Sequence, residues 1–254
     1  MSLLHAEYLK VTRRKLYPGM LLILAILVGV VAFFLMVFGR IAPEVAEGVP
    51  VLTKPLAYLV GAQQVASQTW FPLVLAVVVL GGEMGTTVWA TSLTRESRRL
   101  RQILARLVVF SVASWLAFLV GTAIWSGLAA VAAQGSGSPT AAEWVGVAWR
   151  MGLIALAWTS LGLGAISMLR SLGPAIGAAL AFSFGESILA LWGPYENASL
   201  SAATTGLFGT AMDGFIGAFL PGTDLGVAQA IGIILGWTLF GLLLTWWGVQ
   251  RRDA

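Results

Sequence analysis

The chain has no cysteine and a single histidine, His5, near its start. Disulfide scaffolds and thiolate metal sites are therefore excluded, and a histidine-based metal cluster or catalytic triad has nowhere to form. Charge is also scarce. Only 10% of the 254 residues are Asp, Glu, Lys or Arg, whereas 58% are hydrophobic. A soluble domain carries about a quarter charged residues, so this chain cannot coat a water-facing surface of its size and the bilayer is its expected solvent. Lysine occurs only at Lys10, Lys15 and Lys54, and none follows a glycine. A phosphate-cradling GxxxxGK[ST] loop is thus absent, and the chain cannot itself be a P-loop ATPase. The acids form no close pair along the sequence. No catalytic, cofactor-binding or metal-ligating residue is assigned, and the chain is not expected to be an enzyme.

What the chain does have is long apolar runs. Six are long enough to cross a hydrocarbon layer, which takes about 20 helical residues. They lie near residues 18–38, 56–80, 107–133, 145–169, 174–193 and 227–248. Helices are expected, because an isolated segment in lipid must satisfy its own backbone, and the runs lack the alternation of barrel strands. The expectation is an all-α integral membrane protein, residues 1–254 forming one transmembrane domain. The first run is too long for a signal-peptide core and reads as a retained span.

The net charge of +4 could suggest nucleic acid, but the cations flank the spans, where they encode topology. With the N-terminus inside, twelve of them lie on the inner side: Lys10, Arg13, Arg14, Lys15, Arg95, Arg98, Arg99, Arg101, Arg106, Arg170, Arg251 and Arg252. Arg40, Lys54 and Arg150 lie outside. Both termini are then cytoplasmic, and no nucleic-acid partner is expected. Between the fifth and sixth spans, Gly206–Gly222 is apolar but broken by glycine, and short outer helices are expected there.

Two features could carry function. GGEMGTTVWATSLTRESRRLRQILAR, from Gly81 to Arg106, concentrates five arginines between two spans. Its second half, Thr94–Arg106, reads as an amphipathic helix with Leu100, Ile103 and Leu104 on one face and the arginines largely elsewhere. Charge alone fits a plain anchor on anionic headgroups. The length of about two dozen residues exceeds what a turn needs and fits a structured platform. The other feature is Glu186, inside the fifth span. A carboxylate there is either a gate or translocation-path residue, or a buried acid bonded to a neighbouring helix. The same span carries Gly173, Gly177, Ala181 and Gly185, and the last span Gly232 and Gly236; both patches suit close helix packing.

Glu83, Gly85, Thr86, Leu93, Thr94, Arg95, Ser97, Arg98 and Arg106 resemble the loop after the second span in type-2 ABC transporter permeases. That loop runs Glu, Gly-Thr, an apolar stretch, Leu-Thr-Arg-Pro-x-Ser-Arg and a basic residue. Here Glu96 replaces the proline, which makes the local turn smoother and more helical. Leu3–Gly19 resembles the family's N-terminal amphipathic stretch, with the interfacial helix itself expected over residues 1–17. Leu4, Tyr8 and Val11 would form its apolar face, with Glu7, Lys10 and Arg14 wet. The resemblance implies a six-span subunit without cofactors of its own. Separate ABC ATPase subunits, carrying ATP and Mg, would dock on a coupling helix in the 82–106 loop through Glu83, Gly85, Thr86, Arg95, Arg98 and Arg99. It also implies a second permease chain, identical or paralogous, contact with membrane lipids, export, and residence in a bacterial plasma membrane. The competing expectation is a stand-alone proton-linked carrier or membrane sensor using Glu186.

Overall fold

The structure is a computed structural model that describes residues 3–13, 15–41, 54–84, 99–133, 137–196 and 227–251. Eight helices account for nearly all of them, and no strand occurs among the described residues. They are α1 (Leu3–Thr12), α2 (Leu16–Ile41), α3 (Lys54–Ala66), α4 (Trp70–Met84), α5 (Arg99–Ala132), α6 (Ala141–Leu169), α7 (Leu172–Glu196) and α8 (Val227–Gln250). Five helical stretches are long and apolar enough to cross a membrane: Leu16–Phe34, Ala57–Glu83, Arg99–Ala132, Ala141–Leu169 and Val227–Gln250. α7 begins with a shorter apolar stretch, Leu172–Gly185. The described residues are those of a helical membrane protein. The expected short outer helices at Gly206–Gly222 lie outside the described residues.

The surface is that of a protein built for lipid. α2 buries Met20, Leu24, Val28 and Ala32, one residue per turn, and exposes Leu22, Ile23, Ile26, Leu27, Val30 and Phe33. In water that array would be a large aggregating patch; in a bilayer it is ordinary wall. α6 is the central helix. It packs most extensively on α8, and also on α4, α5 and α7. Its N-terminus is closed by a capping box, in which the Thr140 hydroxyl accepts from the Glu143 amide and the Glu143 carboxylate accepts from the Thr140 amide. Its C-terminus is Arg170, in the left-handed region at φ 57°.

α6 and α8 run parallel and in register. A Cβ on Gly241 would lie 2.6 Å from the Ser160 carbonyl carbon, and one on Gly248 would lie 2.6 Å from that of Ser167. The Arg170 guanidinium donates to the Arg251 carbonyl at 3.1 Å, 81 residues away, which is the same offset. Gly164 meets the Gly241 carbonyl from the other side. Serine and glycine seven residues apart on both helices thus allow backbone-to-backbone approach. The glycines noted in the sequence behave differently: Gly173, Gly177, Gly185, Gly232 and Gly236 meet nothing within 4 Å. They pack no helix of the described chain.

The second apolar run is not one helix. It breaks at Ser67–Thr69, between α3 and α4. Pro72 supplies the cause: it lacks an N–H, and its ring would collide with the carbonyl of Gln68 in a continuous helix. α3 is held by Trp125 of α5, whose indole N–H donates to the Ala57 carbonyl at 2.8 Å while its ring fills the space beside Gly61. The start of α4 is tied to α7 by a buried hydrogen bond between the Thr69 and Ser183 hydroxyls.

The α6–α8 crossing makes a prediction. Gly241→Ala should destabilise the protein by about 1–3 kcal/mol through overpacking, whereas Gly236→Ala should leave the thermal midpoint in detergent near wild type. Equal midpoints for the two variants would contradict the crossing.

Candidate functional site

A buried polar cluster is assembled from three helices. Glu7 lies in the middle of α1, Glu83 is next to last in α4, and Arg106 is two turns into α5. All three are about 2% exposed, in a chain where buried charge is costly unless paired. Here it is paired in a closed ring. Arg106 Nη2 donates to Glu83 Oε2 at 2.9 Å, and Arg106 Nε lies 3.5 Å from Glu7 Oε1. Lys10 Nζ donates to Glu7 Oε1 at 2.7 Å and stands 3.1 Å from Glu83 Oε1. That last contact is one of charge rather than an aligned hydrogen bond. Among the described residues, two carboxylates alternate with two cations around the ring.

Local sequence explains the placement. Glu7 and Lys10 are three residues apart, on one face of α1. Val11, one turn beyond Glu7, is buried beside them and packs α1 onto α5 and the start of α2. This corrects the expected orientation of α1. Glu7 is not wet, and Leu4 and Tyr8 are the exposed residues, not the covered ones. The reason is electrostatic: Glu7 faces the Arg106 Nε and holds Lys10 beside it, so α1 turns its charged face inward. Leu4 and Tyr8 are then free to touch lipid.

A similar rotation applies at the start of α5. The helix begins at Arg99 and continues without interruption to Ala132, so the second half of the expected amphipathic helix is the first two turns of the span itself. Ile103 and Arg106 face inward, whereas Leu100 and Leu104 face outward. Gln102 is buried beside them.

Of the residues expected to receive an ATPase, Glu83 is therefore enclosed and held by Arg106 and Lys10 of its own chain. Arg99 is partly exposed at the first position of α5. Gly85, Thr86, Arg95 and Arg98 lie outside the described residues. So does the side chain of Glu186, whose backbone belongs to α7. Among the described residues, no group of three or more His, Asp or Glu side chains could hold a metal ion.

The same end of the bundle collects other cations. Arg170 and Arg251 are clipped together there, and the Arg251 guanidinium lies 3.8 Å from the centre of the Trp247 ring. α4 and α6 reach this end together, since Gly81 approaches Ile166 and Leu172 while Gly162 approaches Leu73.

No protein-family model matches the chain, and no curated protein matches it.

The ring predicts unequal costs. Arg106→Leu takes the guanidinium away from two buried carboxylates and should cost about 3–5 kcal/mol, the usual penalty for breaking a buried pair. Lys10→Leu removes a side chain that is one-quarter exposed and should cost clearly less. Thermal denaturation of both variants in detergent, followed by monodispersity, ranks them; the reverse order would contradict the ring.

Proposed function

We propose that the chain is the six-span permease subunit of an ABC-type exporter, driven by separate ATPase subunits that dock on the 82–106 loop. The observation that carries this reading is the ionic ring. It fastens Glu83 and Arg106, which flank the 85–98 segment, to each other and to α1. A force on that segment is then delivered to two spans and to α1 together, because none of the three can slide without separating buried charges. In this reading Gly85, Thr86, Arg95, Arg98 and Arg99 meet the ATPase, and Glu83 braces the handle from inside.

The rest of the assembly follows from the same layout. α7 is 25 residues long, about 37 Å by helical rise, and serves as the remaining span. Both termini are then cytoplasmic in a bacterial plasma membrane, on the side where the cations collect. α1 lies along the inner surface with Leu4 and Tyr8 in lipid. Two copies, or one copy and a paralogue, enclose the path. ATP and Mg are bound by the partners, and their closure alternates access to a substrate leaving the cytoplasm or inner leaflet.

One observation favours a second reading. The break in the second span resembles the discontinuous helices of secondary carriers, and a proton-linked carrier would use Glu186.

The readings separate by driving force. If an ABC-type ATPase is encoded beside it, the chain co-expressed with that ATPase should purify as a complex whose ATP hydrolysis exceeds that of the free ATPase. Arg98→Glu/Arg99→Glu should weaken that complex about tenfold or more by reversing charge at the contact. Absence of a complex, with transport that follows a proton gradient and is lost in Glu186→Gln, would replace the exporter with the carrier.

A further inference from the structure

The break between α3 and α4 exposes more polar surface than it needs. Ser67 and Gln68 serve the break itself. The Ser67 hydroxyl and the Gln68 amide both donate to the Gln64 carbonyl, and the Gln68 side-chain oxygen accepts from the Trp70 indole at 3.0 Å. The two bonds to Gln64 satisfy a carbonyl left without its helical donor, because the Gln68 N–H turns to the Val65 carbonyl instead. Gln63 and Gln64 have no such duty. Their side-chain amides meet no hydrogen-bonding partner among the described residues, and both are half-buried.

Their direction is defined by the packing. α3 meets α5 through Gly61 against Trp125 and Val65 against Gly121. By helical spacing Gln63 and Ser67 lie away from that contact, and Gln64 lies at its edge. Depth is set by chain length. The break lies about 20 Å of helical rise beyond Lys54 and about 22 Å before Met84, hence near the centre of a hydrocarbon core about 30 Å thick. At comparable depth α2 presents Ile26, Leu27 and Val30 to its surroundings. Two amides with no partner among the described residues do not suit that environment, because lipid offers them no hydrogen bond.

We propose that the α3 face bearing Gln63, Gln64 and Ser67 lines a water-filled path at mid-membrane depth and receives an uncharged, hydrogen-bonding group of the transported solute, an amide or a hydroxyl. Glutamine suits this task. Each side chain offers two donors and an acceptor without charge, so it binds neutral polar groups and replaces part of their hydration shell. No charged residue occurs between Lys54 and Glu83, so an ionic group would find no counter-charge on this span. The inference goes beyond the exporter reading, since a wet path is required whichever force drives transport, and its test involves no ATPase.

The absence of cysteine makes the test direct. Single variants Gln63→Cys, Gln64→Cys and Ser67→Cys of the full chain are made, with Ile26→Cys as the lipid-facing reference. Membranes are treated with neutral 2-hydroxyethyl methanethiosulfonate and, separately, with its negatively charged sulfonatoethyl analogue. Only a hydrated thiol ionises to the reactive thiolate, so the three path positions should react at least about tenfold faster than position 26. The neutral reagent should outpace the charged one there. Rates at all three positions as slow as at position 26 would overturn the proposal, whether lipid or a second copy covers the face. Faster reaction with the charged reagent would overturn the assignment to a neutral group. Ser67→Cys exchanges one atom, so a folded variant is available even if a glutamine replacement fails.

Discussion

Charge neutralisation inside a low-dielectric bundle is the constraint on which the architecture at the Glu83 end of the bundle depends. Arg106 sits two turns inside a membrane helix, where a lone guanidinium would cost several kcal/mol. One carboxylate, Glu83, lies across from it on α4. α1 adds a second carboxylate, Glu7, beside the Arg106 Nε. Glu7 in turn brings Lys10, which closes the ring on Glu83. The orientation of α1 is a consequence of that balance, and so is the outward turn of Leu4 and Tyr8. A set of apolar residues of equal volume could bind the three helices as firmly. The charges add register: they are satisfied in one relative position of α1, α4 and α5 and in few others.

α4 joins the two unusual places in the molecule. One end of this 15-residue rod carries Glu83 and the ring; the other begins at the Pro72-enforced break, beside Gln63, Gln64 and Thr69. A displacement of the ring along α4 therefore arrives at the membrane midplane, where the helix is already interrupted and a small rotation breaks no helical hydrogen bond. α6 provides the fixed reference. Its parallel, glycine-lined crossing with α8 and its contact through Gly162 on α4 leave little space for sliding at that surface.

The apolar runs were legible because bilayer thickness imposes their length, and every described span overlaps an expected one. The break in the second span carried a signal, Pro72 after a run of polar residues, but averaged hydropathy over the run conceals it. The face of α1 was read the wrong way round because periodicity groups residues without knowing what they meet; burying Glu7 makes sense only once Arg106 is opposite. Glu83 was legible as a residue of interest, but its direction depends on Arg106, 23 positions away. The glycine stripes illustrate the same limit. Gly177 and Gly236 look like packing residues by spacing, yet the close approach is made at Gly241 and Gly248, because Ser160 and Ser167 stand opposite them.

The most direct test of the ring as the organising interaction is a double-mutant cycle on Glu83→Gln and Arg106→Gln, measured by reversible unfolding in mixed micelles. If the two side chains neutralise each other as described, the double variant should be more stable than the sum of the single losses by about 1–3 kcal/mol, the range for residues in one ionic network. Additive losses would show that Glu83 and Arg106 act independently and would contradict the account.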